Sequence, residues 1–86
     1  MEFEFDEQKS ASNKVKYGID FIEAQELWLD TKRVEIAART VEEPRFLVIG
    51  LIKQKCWAAI ITYREERVRI ISVRRARDEE VKIYEG

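Results

Sequence analysis

Arg45-Phe46-Leu47-Val48-Ile49-Gly50-Leu51-Ile52-Lys53-Gln54-Lys55-Cys56-Trp57-Ala58-Ala59-Ile60-Ile61-Thr62-Tyr63-Arg64-Glu65-Glu66-Arg67-Val68-Arg69-Ile70-Ile71-Ser72-Val73 decides the fold. Arg45 to Leu51 is nearly continuous apolar, the pattern of a strand covered on both faces. Lys53-Gln54-Lys55 reads as a turn, and Cys56 to Tyr63 as a second apolar strand. Arg64-Glu65-Glu66-Arg67 is a charged reversal into a third strand, Val68 to Val73. Links this short favour an antiparallel meander. Strict alternation groups Cys56, Ala58, Ile60, Thr62 and Arg64 on one face of their strand. In the next strand it sets Val68, Ile70 and Ser72 against Arg67, Arg69, Ile71 and Val73.

Upstream, Val34, Ile36 and Ala38 alternate with Arg33, Glu35 and Ala37 in a further strand, which Glu42-Glu43-Pro44 separates from the meander. Glu2-Phe3-Glu4-Phe5 alternates as a short strand burying both phenylalanines. Asp6 suits an N-cap for a helix over Glu7 to Tyr17, with Ala11 and Val15 marking its inner face and Gly18 ending it. Asp20 and Glu23 form an Asp-x-x-Glu capping box for a second helix, which buries Ala24, Leu27 and Trp28 and ends near Asp30. Downstream, a helix runs from Arg74 or Arg75 to Glu85, with Ala76, Ile83 and Tyr84 towards the sheet. The expected class is α+β in the order β-α-α-β-β-β-β-α: a small curved antiparallel sheet with helices packed on one face, one domain over residues 1–86.

The 86 residues include one cysteine and no histidine, which leaves no disulfide framework, no zinc finger and no His-based catalysis. No apolar run approaches a membrane span and the acidic start is not a signal peptide, so a cytoplasmic protein without a membrane segment is expected. The net charge of −1 hides a segregation: −5 over residues 1–44, +7 over residues 45–77 and −3 over residues 78–86. Seven of the nine basic residues in the middle block are arginine, the better bidentate ligand for phosphate.

Cys56, beside Trp57 on an apolar strand, reads as a packing residue. Gly18, Gly50 and Gly86 are isolated and make no phosphate loop. Asp78-Glu79-Glu80 suits the first turn of a helix better than a metal, so neither metal nor cofactor is expected. What remains is a set of arginines with a few hydroxyls and carboxylates. RNA cleavage by its own 2′-OH needs the phosphate held, its developing charge stabilised and protons moved. Arginine meets the first two needs, and Glu, Lys or Tyr can meet the third.

The chain resembles the BrnT family, ribonuclease toxins of bacterial type II toxin–antitoxin systems. The resemblance is carried by Phe3-x-Phe5-Asp6, Lys9, Asn13, Lys16-Tyr17-Gly18 and Phe21-x-x-Ala24. It continues through Glu43-Pro44-Arg45-Phe46, Thr62-Tyr63-Arg64 and Arg69-Ile70-Ile71-Ser72-Val73-Arg74-Arg75-Ala76, with Glu80 and Tyr84 following. Tyr17 stands where the family has His, and Phe5 where Trp is usual. The resemblance implies a RelE-like fold and a growth-arresting ribonuclease. It also implies a cognate BrnA-like antitoxin, a DNA-binding dimer forming a 2:2 complex that reaches operator DNA only through the antitoxin. The expected catalytic residues are Arg64, Arg69 and Arg74, clustered on phosphate, with Glu43, Lys16 or Tyr17 for proton transfer. Arg45, Thr62, Ser72 and Arg75 are expected to bind substrate. The alternatives are an inactive relative that binds antitoxin and represses its operon, and a simple nucleic-acid-binding protein.

Overall fold

The computed structural model describes residues 1–39 and 42–86. In chain order the elements are β1 (Glu2–Glu4), α1 (Glu7–Tyr17), a 3₁₀ helix (Glu23–Leu29), β2 (Val34–Ala38), β3 (Arg45–Ile52), β4 (Lys55–Arg64), β5 (Arg67–Arg75) and α2 (Asp78–Glu85). They form a five-stranded sheet in the order β1-β5-β4-β3-β2. The β2 to β5 meander is antiparallel as expected, but β1 pairs parallel with β5, so the sheet is mixed. The excursion through α1 and the meander brings the last strand back beside β1, which covers only three of its nine residues.

The boundaries of α1 follow from its caps. The Asp6 carboxylate accepts from the backbone N–H groups of Gln8 and Lys9, and Gly18 takes the left-handed conformation with φ of 81°. Its inner face is not Ala11 and Val15, both exposed; it is Ser10 and Asn13. This helix faces backbone groups that need partners, so polar residues are the ones it buries. Ser10 Oγ accepts from Phe21 N–H at 2.9 Å. Asn13 Nδ2 donates to the carbonyls of Ile19 and Val73 at 2.8 and 2.9 Å, and Asn13 Oδ1 accepts from Val73 N–H at 3.2 Å.

The Asp20–Glu23 box forms reciprocally, with Asp20 accepting from Glu23 N–H at 2.7 Å and Glu23 accepting from Asp20 N–H at 3.0 Å. The segment it starts is a 3₁₀ helix rather than an α-helix. Ala24 and Leu27, three apart, are wholly buried, matching a three-residue turn. Asp30, at its end, accepts from Leu51 N–H at 2.9 Å and from the Tyr84 hydroxyl at 2.6 Å. Gly50 permits this approach: a Cβ there would lie 3.2 Å from Leu27 and 3.3 Å from Asp30.

Two cores flank the sheet, so helices cover both faces instead of one. Ile19, Phe21, Ala24 and Leu27 pack on Val48, Ala59, Ile61, Val68, Ile70 and Val73. On the other face Ala76 and Tyr84 pack on Leu47, Ile49 and Ala58, while Ile83 stays exposed. The last helix begins at Asp78, later than expected. Arg77 is extended, and its N–H is taken by Glu80 Oε1 at 2.8 Å. Arg74 and Arg75 therefore belong to β5.

Candidate active site

The decisive local feature is a bulge in β5. Ile60 pairs with Ser72 and Ile61 with Ile70, leaving Ile71 unpaired. An extra residue reverses the alternation beyond it. Val68, Ile70 and Val73 consequently share one core, and Arg67, Arg69, Ser72 and Arg74 share the opposite face. Ser72 is thus not beside Val68 and Ile70, nor Val73 beside Arg69. On β4 the same face carries Arg64, Thr62, Ile60 and Ala58, and on β3 it carries Arg45. One residue of bulge gathers Arg64, Arg69 and Arg74 on a single surface.

They form a row, not one cluster. Arg64 lies opposite Arg67, and Arg69 opposite Thr62, at one end of the row; Arg74 lies opposite Ala58. Six residues of β4 separate Ala58 from Arg64, about 20 Å at 3.3 Å per residue. Each arginine meets a carboxylate from another element. Arg64 lies 3.4 Å from Glu43, which is also 4.0 Å from Arg45. Arg69 donates to Glu4 at 2.8 Å, its neighbour across the β1–β5 pair. Arg74 makes a two-pronged contact with Glu80 at 2.7 and 2.9 Å.

These pairs differ in what it takes to open them. Arg64 and Glu43 are 50% and 36% exposed, and exposed pairs contribute about 0–1 kcal/mol. Arg64 can exchange Glu43 for a phosphate at little cost. Arg74 and Glu80 are only 21% and 12% exposed. The Arg74 guanidinium, helped by the Arg77 N–H, holds the Glu80 carboxyl below the usual range despite its burial. Arg74 is a fixed charge.

The other expected residues divide between the two ends. Thr62 is buried and donates to the Pro44 carbonyl at 2.7 Å, so it anchors the segment bearing Glu43 instead of offering its hydroxyl to substrate. Ser72 is half-buried on the arginine face. Lys16 sits 5.2 Å over the Tyr17 ring at the end of α1, and Tyr17 contributes to the electrostatic surroundings of Arg74. Arg75 lies on the opposite face, 5.5 Å over Trp57. Cys56 is half-buried, and burial pushes its thiol up, which suits packing. Glu4 and Arg67 belong to the arginine surface although the sequence does not single them out. The alternation of β1 places Glu4 opposite the phenylalanines, but its partner depends on a strand pairing sixty-five residues apart.

A family model described as the ribonuclease toxin BrnT of type II toxin–antitoxin systems matches residues 5–80. The chain belongs to the BrnT family. No curated protein matches it in a sequence comparison. This BrnT chain is thus a ribonuclease toxin of a type II toxin–antitoxin pair, with a cognate antitoxin as its partner. Among its described residues, no helix is long and apolar enough to cross a membrane.

Proposed function

We propose that this BrnT toxin cleaves RNA without a metal, on the arginine face of a RelE-like fold, with Arg64 at the reacting phosphate. The observation that supports it is the bulge at Ile71, which sets Arg64, Arg69 and Arg74 on one surface. Arg69 and Arg74, held by Glu4 and Glu80, are preorganised positive charges along the RNA backbone. Arg64 turns from Glu43 to the scissile phosphate, with Arg45 beside it. Glu43, beside the phosphate, accepts the proton of the 2′-OH as that oxygen bonds to phosphorus. The 5′ oxygen leaves and takes a proton from solvent, giving a 2′,3′-cyclic phosphate and a 5′-OH end. Arginine stays protonated throughout, so it stabilises the pentavalent phosphate and does not act as base. Lys16 and Tyr17, at the Arg74 end, hold RNA farther along the strand; they lie too far from Arg64 to serve the same proton transfer. Ser72 contacts the backbone between the two ends.

The partner is a BrnA-like antitoxin that dimerises, binds operator DNA and places two toxin copies in a 2:2 complex in the cytoplasm. It neutralises the toxin by covering the arginine face. Opposite charges across such an interface speed association, so the association rate should fall steeply between low and physiological salt. A salt-insensitive rate contradicts that surface.

Induced expression tests the site. Growth arrest should occur with the native toxin alone, disappear when the antitoxin is co-expressed, and disappear in the Arg64→Ala, Arg74→Ala double variant. Purified toxin should cleave RNA equally with and without EDTA. Arrest by the folded double variant contradicts the arginine site, and inhibition by EDTA contradicts the metal-free mechanism.

A further inference from the structure

Beside the β3–β4 hairpin lies a cavity of about 180 Å³, lined by Gly18, Ile19, Glu23, Glu26, Ile52, Lys53, Lys55 and Trp57. Its charges are not arranged as a closed ion-pair set. Glu23 is satisfied by Lys14 at 2.8 Å and by Asp20 N–H. Among the described residues, the side chains of Glu26, Lys53 and Lys55 have neither ion pair nor hydrogen bond. The arginines of the row each lie within 4 Å of a carboxylate, whereas Glu26, Lys53 and Lys55 line the cavity outside any such pair.

The cavity adjoins the row. Asn13 of α1 is bonded to Val73, next to Arg74, and Gly18, which ends that helix, is in the cavity wall. Arg75 follows Arg74 but lies across the sheet over Trp57. Trp57, in the cavity wall, pairs with Arg75, and its neighbour Ala58 pairs with Arg74, so the cavity lies one residue from the Arg74 end of the row, on the other face of the sheet.

We propose that the cavity is a nucleobase subsite of the toxin and that it prefers guanine. Trp57 supplies an aromatic surface, with Ile19 and Ile52 as apolar walls and Lys53 and Lys55 for flanking phosphates. The Glu26 carboxylate only accepts, through two oxygens side by side. Guanine alone among the RNA bases offers two adjacent donors on its pairing edge, N1–H and the N2 amino group. Adenine and cytosine offer one donor beside an acceptor, and uracil one donor between two acceptors. This inference rests on the ribonuclease reading for its use, but base binding is measurable without cleavage.

The experiment is an NMR titration of the full ¹⁵N-labelled chain with GMP and with UMP, following the two indole N–H signals. Trp28, packed edge-on against Phe3, is the internal reference. GMP should move the Trp57 signal and leave Trp28, and UMP should bind about tenfold more weakly, the discrimination of one bidentate contact. Glu26→Gln should remove most of that preference, because its amide replaces one acceptor with a donor. Replacing Lys53 and Lys55 by Ala together should weaken GMP but not guanosine. A Trp57 signal unmoved by millimolar GMP overturns the subsite, and a guanine preference that survives Glu26→Gln overturns its basis. If GMP binds as stated while Arg64→Ala still cleaves RNA, the active-site assignment fails and the subsite stands.

Discussion

Asn13 does at the edge of β5 what a neighbouring strand would do. β1 covers only Arg67 to Arg69, and beyond it the side-chain amide of Asn13 both donates to and accepts from Val73 while also donating to Ile19. Asn13→Ala leaves buried backbone groups without partners, at about 1–3 kcal/mol for each one unsatisfied. We expect a loss of about 3 kcal/mol in urea unfolding with an unchanged m-value. Asn13→Asp should be at least as destabilised at neutral pH, because a carboxylate cannot donate to two carbonyls, and should recover part of the loss in acid. A stability unaffected by Asn13→Ala contradicts this edge-capping role. Alternation and helical spacing do not reveal such a residue: a polar side chain on a short helix looks like surface, and its partner is sixty residues away. Arg64, Arg69 and Arg74 stand out in the sequence because positive charge accumulates over residues 45–77, and Glu43 enters through the resemblance of Glu43-Pro44-Arg45-Phe46. Their pairing was not legible, since Glu43, Glu4 and Glu80 arrive from three different elements.

At the scale of elements, the caps and the antiparallel meander were readable, and the parallel β1–β5 pair and the bulge in β5 were not. Asp6 and Gly18 bound α1, and Asp20 with Glu23 opens the next segment, because caps act within a few residues. The β5 bulge leaves no mark in Ile70-Ile71-Ser72, where neighbouring apolar residues hide the extra position. The face of Arg74 therefore follows only from the register. The two hairpins also depart from ordinary turn chemistry. Lys53 and Gln54, and Glu65 and Glu66, all take positive φ, the last pair at 49° and 69°. Such two-residue turns favour Asn-Gly, since a left-handed conformation costs most residues about 1 kcal/mol or more. Changing Glu65-Glu66 to Asn-Gly should raise stability by about 1 kcal/mol, read as a higher urea midpoint. A lower midpoint would contradict the strain assigned to this turn.

Across the whole molecule, Asp30 and Tyr84 tie the 3₁₀ helix and α2 to the open edge of β3. The hydrogen bond to Asp30 is the main reason the Tyr84 hydroxyl is pushed up to about 12. Burial, then the bond to Glu35, pushes Tyr63 up to about 12 as well. Both phenols hold their protons in the folded state after the unfolded chain has lost them, so their contribution is present below about pH 10 and lost as pH rises through 12. In acid the sign is opposite. Burial alone would raise Asp30, but hydrogen bonds from Tyr84, Leu51 and Lys32 lower it, and Arg74 lowers Glu80. Their contribution is present above the unfolded carboxylate range and lost as pH falls through the lower folded values. Unfolding free energy should therefore be broad and flat around neutrality with two falling limbs. Tyr84→Phe should flatten the alkaline limb, and an unchanged limb contradicts the tie.

The same assembly leaves positive charge concentrated on one sheet face while acidic segments supply the groups that hold it in place. Single-turnover cleavage of an unstructured RNA by purified toxin tests most directly whether that face does the chemistry. Arg64→Ala should lower the rate about 10²–10³-fold, the loss expected for one transition-state donor. Arg64→Lys should recover only part, because the two-pronged contact is gone. Lys82→Ala, on the exposed side of α2, should leave the rate unchanged. A folded Arg64→Ala toxin that cleaves at the native rate contradicts the account.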